Sequence, residues 1–136
     1  MFAGLPPRLG VTADGRLTAC RPTPNCVSSQ ADPADAVHYV APLAFPPRAG
    51  GAPGAAFAEL RRVVAGGPRA TIVGGAPGYL RAEYRSRIVG FVDDVEFLLD
   101  TGARTIHVRS ASRLGRSDLG VNRARVEAIR AALAGP

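Results

Sequence analysis

Residues 79–110 read YLRAEYRSRIVGFVDDVEFLLDTGARTIHVRS, and the fold turns on them. Apolar and polar side chains alternate through three successive runs, Tyr79–Ile88, Phe91–Leu99 and Arg104–Ser110, a period of two that marks half-buried strands. Val89-Gly90 and Thr101-Gly102 suit two-residue hairpin turns between them. With turns of that length the registers follow by counting. Val95 then faces Tyr84 and Val108, and Phe97 faces Ala82 and Ile106, all on one apolar face. On the reverse face Asp94 falls between Arg85 and Arg109, and Glu96 between Glu83 and His107.

Working outward, Arg69–Val73 reads as a further strand joined through Gly74–Gly78. A helix over roughly Gly54–Ala65 places Phe57, Leu60 and Val64 on one side and is stopped by Gly66-Gly67-Pro68. The closing helix runs from near Asp118 to Ala134, with Val126, Ile129 and Leu133 as its inner stripe and Arg123, Glu127 and Arg130 outside. Val37–Val40 is a short strand candidate, followed by a proline- and glycine-rich connection over 41–54. The expected class is α+β, in the order β-α-β-β-β-β-α: an antiparallel sheet of four to five strands with both helices on one face. Residues 1–36 read as an extended, proline-rich arm and 37–136 as a single domain.

A chain of 136 residues supports one core of useful size. The 46% hydrophobic content fits a globular protein, and no stretch approaches the ~18 apolar residues of a membrane span. The start shows no secretory pattern, so a soluble protein of unspecified compartment is expected. Net charge is +6, and all 17 basic residues are arginine. Arginine keeps its charge when buried and forks onto carboxylates or phosphates. Nucleic acid is disfavoured as a partner, because there is no Trp and the few aromatics fall at core positions. Cys20 and Cys26 flank Arg-Pro-Thr-Pro-Asn. A small disulfide loop and two unpaired thiols both fit them, whereas a zinc site does not, since His38 and His107 are distant.

Three motifs stand out: Pro24-Asn-Cys-Val-Ser-Ser29; Tyr84-Arg-Ser-Arg-Ile-Val-Gly-Phe-Val-Asp-Asp-Val-Glu-Phe97; and Arg109-Ser-Ala-Ser-Arg113 with Gly115, Ser117-Asp118, Gly120 and Asn122-Arg123. In this combination the chain resembles the domain-of-unknown-function 1499 family over about residues 20–133. Many members of that family carry a signal, lipoprotein or transit segment, which is not read here. The resemblance implies no established activity.

The connection from Arg109 to Arg125 carries five arginines, and its charges must be met by carboxylates of the protein or by an anion from outside. A ligand-binding set of Arg109, Ser112, Arg113, Arg116, Asp118, Asn122, Arg123 and Arg125 is therefore expected, beside a structural ion network of Arg85, Asp93 and Asp94. Asp93 points to the apolar face by alternation, so it needs donors from Ser86, Ser110 or an arginine of the final connection. Asp118 or Ser117 caps the closing helix if it starts there. The reading that follows is a non-enzymatic binding or accessory domain engaging a partner protein or a small anionic ligand. Two alternatives remain: an acid–base or metal-dependent enzyme using Glu83, Glu96 and His107, and a structural subunit of a membrane-associated complex. There is no nucleophile motif and no nucleotide fingerprint, and neither cofactor nor metal is expected.

Overall fold

A computed structural model describes residue 4 and residues 7–87 and 91–135. In chain order the elements are β1 (Cys26–Ser28), β2 (Leu43–Ala44), α1 (Pro53–Ala65), β3 (Ala70–Ala76), β4 (Tyr79–Arg85), β5 (Val92–Asp100), β6 (Thr105–Ser112) and α2 (Val121–Ala134). A single 3-10 turn, Pro47–Ala49, precedes α1. The strands form one antiparallel sheet ordered β1-β6-β5-β4-β3, with β2 also pairing with β6. Among the described residues the sheet thus has six strands, more than the four to five expected.

The two additional strands are short segments that no period-two pattern could reveal. β1 lies within the stretch read as an arm and pairs with Arg109–Ala111, while β2 pairs with Thr105 and Ile106 farther along the same edge. The expected strand at Val37–Val40 does not form; Tyr39 makes only an isolated parallel bridge to Ser28. Arginine side chains from α2 take the carbonyls of this segment instead. Arg123 donates to the carbonyls of Ala36, Val37 and Tyr39, and Arg130 donates to those of Ala41 and Pro42.

The segregation of the two faces is as read, but the partners are displaced by two residues in both hairpins. Val95 pairs with Ala82 and Ser110, and Phe97 with Leu80 and Val108. The β5–β6 turn explains its half of the shift. It spans Thr101–Arg104, not two residues, and closes with Arg104 in the left-handed region at φ 57° and the Ala103 N–H donating to Asp100. Arg85 pairs with Val92, so the β4–β5 connection is longer than two residues as well; the turn expected at Val89-Gly90 lies outside the described residues. A shift by an even number preserves which face each side chain occupies. Pro77-Gly78 makes the β3–β4 turn, with Gly78 at φ 75° supplying the positive φ that a Pro-Gly corner requires. β3 carries a bulge between Ile72 and Gly74.

Both helices pack on the apolar face. Leu60 and Val64 of α1 and Val126, Ile129 and Leu133 of α2 meet Leu80, Ala82, Val95, Phe97, Ile106 and Val108 in one buried cluster. α2 starts at Val121 and not at Asp118, because Leu119 and Gly120 are left-handed. Asp118 still caps it from outside, accepting from the N–H groups of Gly120 and Asn122.

The reverse face is ionic and is covered by the N-terminal segment. The Gly10 N–H donates to Glu96, the Leu17 N–H donates to the Gln30 side chain, and Leu17 itself is buried. Cys20 and Cys26 form a disulfide that ties this segment to β1. Beyond β1, His38 links its Nε2 to the Thr23 carbonyl and its Nδ1 to Asp35. Both partners are acceptors, a setting that favours the doubly protonated ring. The Asp35 hydrogen bond, followed by the Thr23 carbonyl, raises the His38 pKa above 6.5.

Two outcomes follow. Reduction of Cys20–Cys26 should lower stability by about 2 kcal/mol for a loop this short, read from the denaturant midpoint with and without reductant. The native fold holds the His38 proton more tightly than the unfolded chain. His38 therefore favours the native state below about pH 6.5, and that contribution fades as pH rises through the native pKa. An NMR titration should place the His38 midpoint above that of Asp35→Asn.

Candidate functional site

The connection after β6 divides its arginines between the two faces of the sheet. β6 ends at Ser112, so Arg113 emerges over the ionic face. It forks onto Asp94, Nε to Oδ2 at 2.9 Å and Nη2 to Oδ1 at 3.0 Å, and reaches Glu83 at 2.6 Å. These bonds, that to Asp94 foremost, raise the Arg113 pKa. Arg81 adds a second cation to Asp94 at 3.3 Å. The expected Arg85–Asp94–Arg109 clamp is therefore replaced: Arg113 and Arg81 hold Asp94, while Arg85 approaches Glu83 at 3.7 Å. The cause is the two-residue shift, which sets Asp94 opposite Glu83 and Ala111.

Arg109 is paired differently. Its side chain is 8% exposed, its nearest carboxylate oxygen is Glu96 Oε1 at 3.8 Å, and among the described residues neither its Nε nor that oxygen has a hydrogen-bond partner. Burial lowers its pKa, with Glu96 and Asp94 opposing. Leaving a buried donor unmet costs about 1–3 kcal/mol. Glu96 is fully buried and its other oxygen is taken, accepting from the Tyr79 hydroxyl at 2.6 Å and from Gly10. Burial and then Glu96 push the Tyr79 hydroxyl well above its usual pKa.

A cavity of about 360 Å3 opens beside Arg109. Arg21, Arg109 and Arg113 line it together with Thr23, Asn25 and Ser112, and Asp94 is the one carboxylate among the lining residues. Asn25 shapes the rim. Its side chain donates to the Gly115 carbonyl at 2.7 Å and accepts from Thr23, and its own carbonyl accepts from the Ser112 N–H. Sequence reasoning missed Arg21, Thr23 and Asn25, although Asn25 belongs to one of the quoted motifs. The signal for Arg21 was available only through the disulfide that folds its loop back onto β1.

The remaining residues of the expected set lie elsewhere. Asn122 is fully buried on the helix side, where its amide donates to Ser112, Asp118 and the Asn25 carbonyl and its oxygen accepts from Ser110 and Arg125. Arg125 pairs with Asp93 at 2.7 Å, donates to Ser110 and lies 4.8 Å from the centre of the Tyr84 ring. Arg123 supports the 36–39 carbonyls as described, and Arg116 is exposed. Asp93 thus meets an arginine of the final connection on the apolar face.

Glu83, Glu96 and His107 do not converge. Glu83 pairs with Arg113, Glu96 is enclosed by Tyr79 and Gly10, and His107 hydrogen-bonds Asp100 and Ser29. Among the described residues no group of three His, Cys, Asp or Glu side chains is placed to hold a metal. No helix among them is long and apolar enough to cross a membrane.

The family model described as a protein of unknown function (DUF1499) matches residues 16–133. The chain belongs to the DUF1499 family. No curated protein and no solved structure matches it. All three motifs quoted above contribute to the wall of this DUF1499 cavity: Asn25 and Cys26 from the first, Asp94 from the second, and Arg109, Ser112, Arg113 and Gly115 from the third.

Breaking a buried ion pair leaves an uncompensated charge and costs about 3–5 kcal/mol. Arg125→Met, which strands Asp93, should lose that much in chemical denaturation. Arg116→Ala, at the exposed position, should stay within about 0.5 kcal/mol of the parent.

Proposed function

We propose that this domain is a binding module whose ligand is a small anion, taken up in the cavity between the disulfide loop and the β6–α2 connection. The observation that carries the reading is Arg109: a guanidinium largely removed from water that, among the described residues, has no carboxylate within direct hydrogen-bonding distance, in a cavity wall that it shares with Arg21 and Arg113. A carboxylate or phosphate oxygen there would meet the rest of the guanidinium in a partly desolvated site, where charge-assisted bonds are strongest.

Each arginine has a distinct part. Arg113 is committed to Asp94 and Glu83, so it is a fixed wall and contributes positional rigidity. Arg109 presents the part of its guanidinium that borders the cavity. Arg21 is exposed, sits on the short disulfide loop and adds a third positive charge to the lining. Thr23 and Ser112 complete the rim, the Thr23 hydroxyl holding the Asn25 side chain and the Ser112 hydroxyl accepting from Asn122. The excess of cations over carboxylates in the lining favours an anion over a neutral ligand of the same size.

The test is an NMR titration of the oxidised protein with inorganic phosphate at low ionic strength. Saturable shifts are expected at the amides of Asn25 and residues 109–115. Arg21→Ala should weaken binding about fivefold without changing stability, a loss in the range of one exposed charged contact. Arg109→Met should abolish it. Shifts that never saturate, or identical curves for the parent and both variants, would count against the proposal.

A further inference from the structure

A second and larger cavity lies on the opposite side of the sheet, and its chemistry is different. It measures about 510 Å3, within the range of about 300–1,000 Å3 typical of small-molecule sites. Tyr84 forms part of its lining near the end of β4. Val63, Gly67 and Pro68 line it from α1 and the turn that follows; Val121, Ala128, Ile129 and Ala132 line it from α2. Of these, Ile129 and Tyr84 also belong to the core cluster, so the cavity adjoins the apolar layer beside α1 and α2. Val121 is 47% exposed, an apolar side chain left at the opening.

The polar residues lining this cavity are almost all of one kind: Arg69, Arg85, Arg87 and Arg125, with Ser86 between them and no carboxylate among them. Arg125 is neutralised by Asp93. Arg85 borders the cavity, but its guanidinium approaches Glu83 at 3.7 Å on the ionic face. Arg69 turns through a left-handed φ of 57° and donates its Nε to the Arg85 carbonyl, which leaves its charge unmatched. Among the described residues no carboxylate pairs with Arg69 or Arg87. The cavity therefore joins an apolar wall to a cluster of arginines in excess of their counter-charges.

From this we infer a second binding site, for a single-chain amphiphile with an anionic head: a medium-chain carboxylate whose tail lies against Val63, Tyr84, Ala128 and Ile129 and whose head meets Arg69 and Arg87. Charge complementarity selects this occupant. A neutral apolar ligand would leave the arginines unused, and a cationic amphiphile would be repelled by them. Burial of the tail contributes in proportion to the apolar area removed from water, and the head contributes sign selectivity. The site is separate from the anion cavity, which lies across the sheet and shares none of its lining residues.

Isothermal titration calorimetry of the full chain with dodecanoate, kept below its micelle-forming concentration, tests the inference. Saturable binding at one site per chain is expected. Dodecyltrimethylammonium, with the same tail and opposite charge, should bind at least about tenfold more weakly, as one lost charge-assisted contact or more would require. Ala128 and Ala132 are both exposed on α2, so Ala128→Trp and Ala132→Trp should fill the cavity and abolish dodecanoate binding while the circular dichroism spectrum is retained. Arg69→Glu and Arg87→Glu should each weaken dodecanoate and narrow the preference over the cationic amphiphile. Absence of saturable dodecanoate binding, equal binding of the two amphiphiles, or undiminished binding by both tryptophan variants would overturn the inference. So would binding to vesicles of anionic phospholipid with none to dodecanoate, which would make this face a membrane-docking surface instead.

Discussion

Asp94 is 2% exposed on the second face of the sheet, and a carboxylate sealed from water must be met by donors. Arg113 meets it with a two-pronged fork and Arg81 with a third contact. This constraint organises the rest of that face. To reach Asp94, the chain leaving β6 must send Arg113 back across the sheet while the following residues turn toward α2. The same crossing sets Ser112 and Gly115 beside Asn25 and leaves Arg109 with room on one side. A cavity flanked by a rigid cation and an underused one is the geometric remainder of fixing Asp94.

The apolar face solves a parallel problem with Asp93. Consecutive acidic residues on a strand point to opposite sides, so one of them had to enter the helix layer. Arg125, Ser110, Asn122 and Asp118 form the polar chain that accommodates it. Neighbouring carboxylates thus anchor the two sides of one connection, Asp94 through Arg113 and Asp93 through Arg125. Five arginines in seventeen residues, striking as raw composition, resolve into a division of labour: two tie down the sheet's acids, one holds a loop, one faces water, and Arg109 keeps unspent capacity.

Much of the architecture was legible because alternation is a strong signal. Val95 and Phe97 could be placed on the buried face from spacing alone, and both helices could be placed by their stripes. Partner assignment was not legible, since turn length decides it. Nothing in Thr101-Gly102-Ala103-Arg104 announced a four-residue corner ending in a left-handed arginine. The error spread directly to the site: the supposed trio of Glu83, Glu96 and His107 and the supposed clamp on Asp94 both rested on that register. β1 and β2 were hidden for a separate reason. Strands of three and two residues have no period, and their partner on β6 is some sixty to eighty-five positions away. What composition did convey was that the arginines required partners, and which of them found partners internally is a question only three-dimensional packing answers.

At one end of the sheet the short strands β1 and β2 pair along the outer side of β6. The other end is β3, beyond which no strand lies among the described residues. An open rim of this kind is a template on which another chain can add itself, the usual route to aggregation. Here the bulge at Val73 breaks the ladder midway, and Gly74 and Gly75 leave the distal half without side chains to grip an incoming strand. The irregularity in β3 therefore makes this rim a poor template for an added strand.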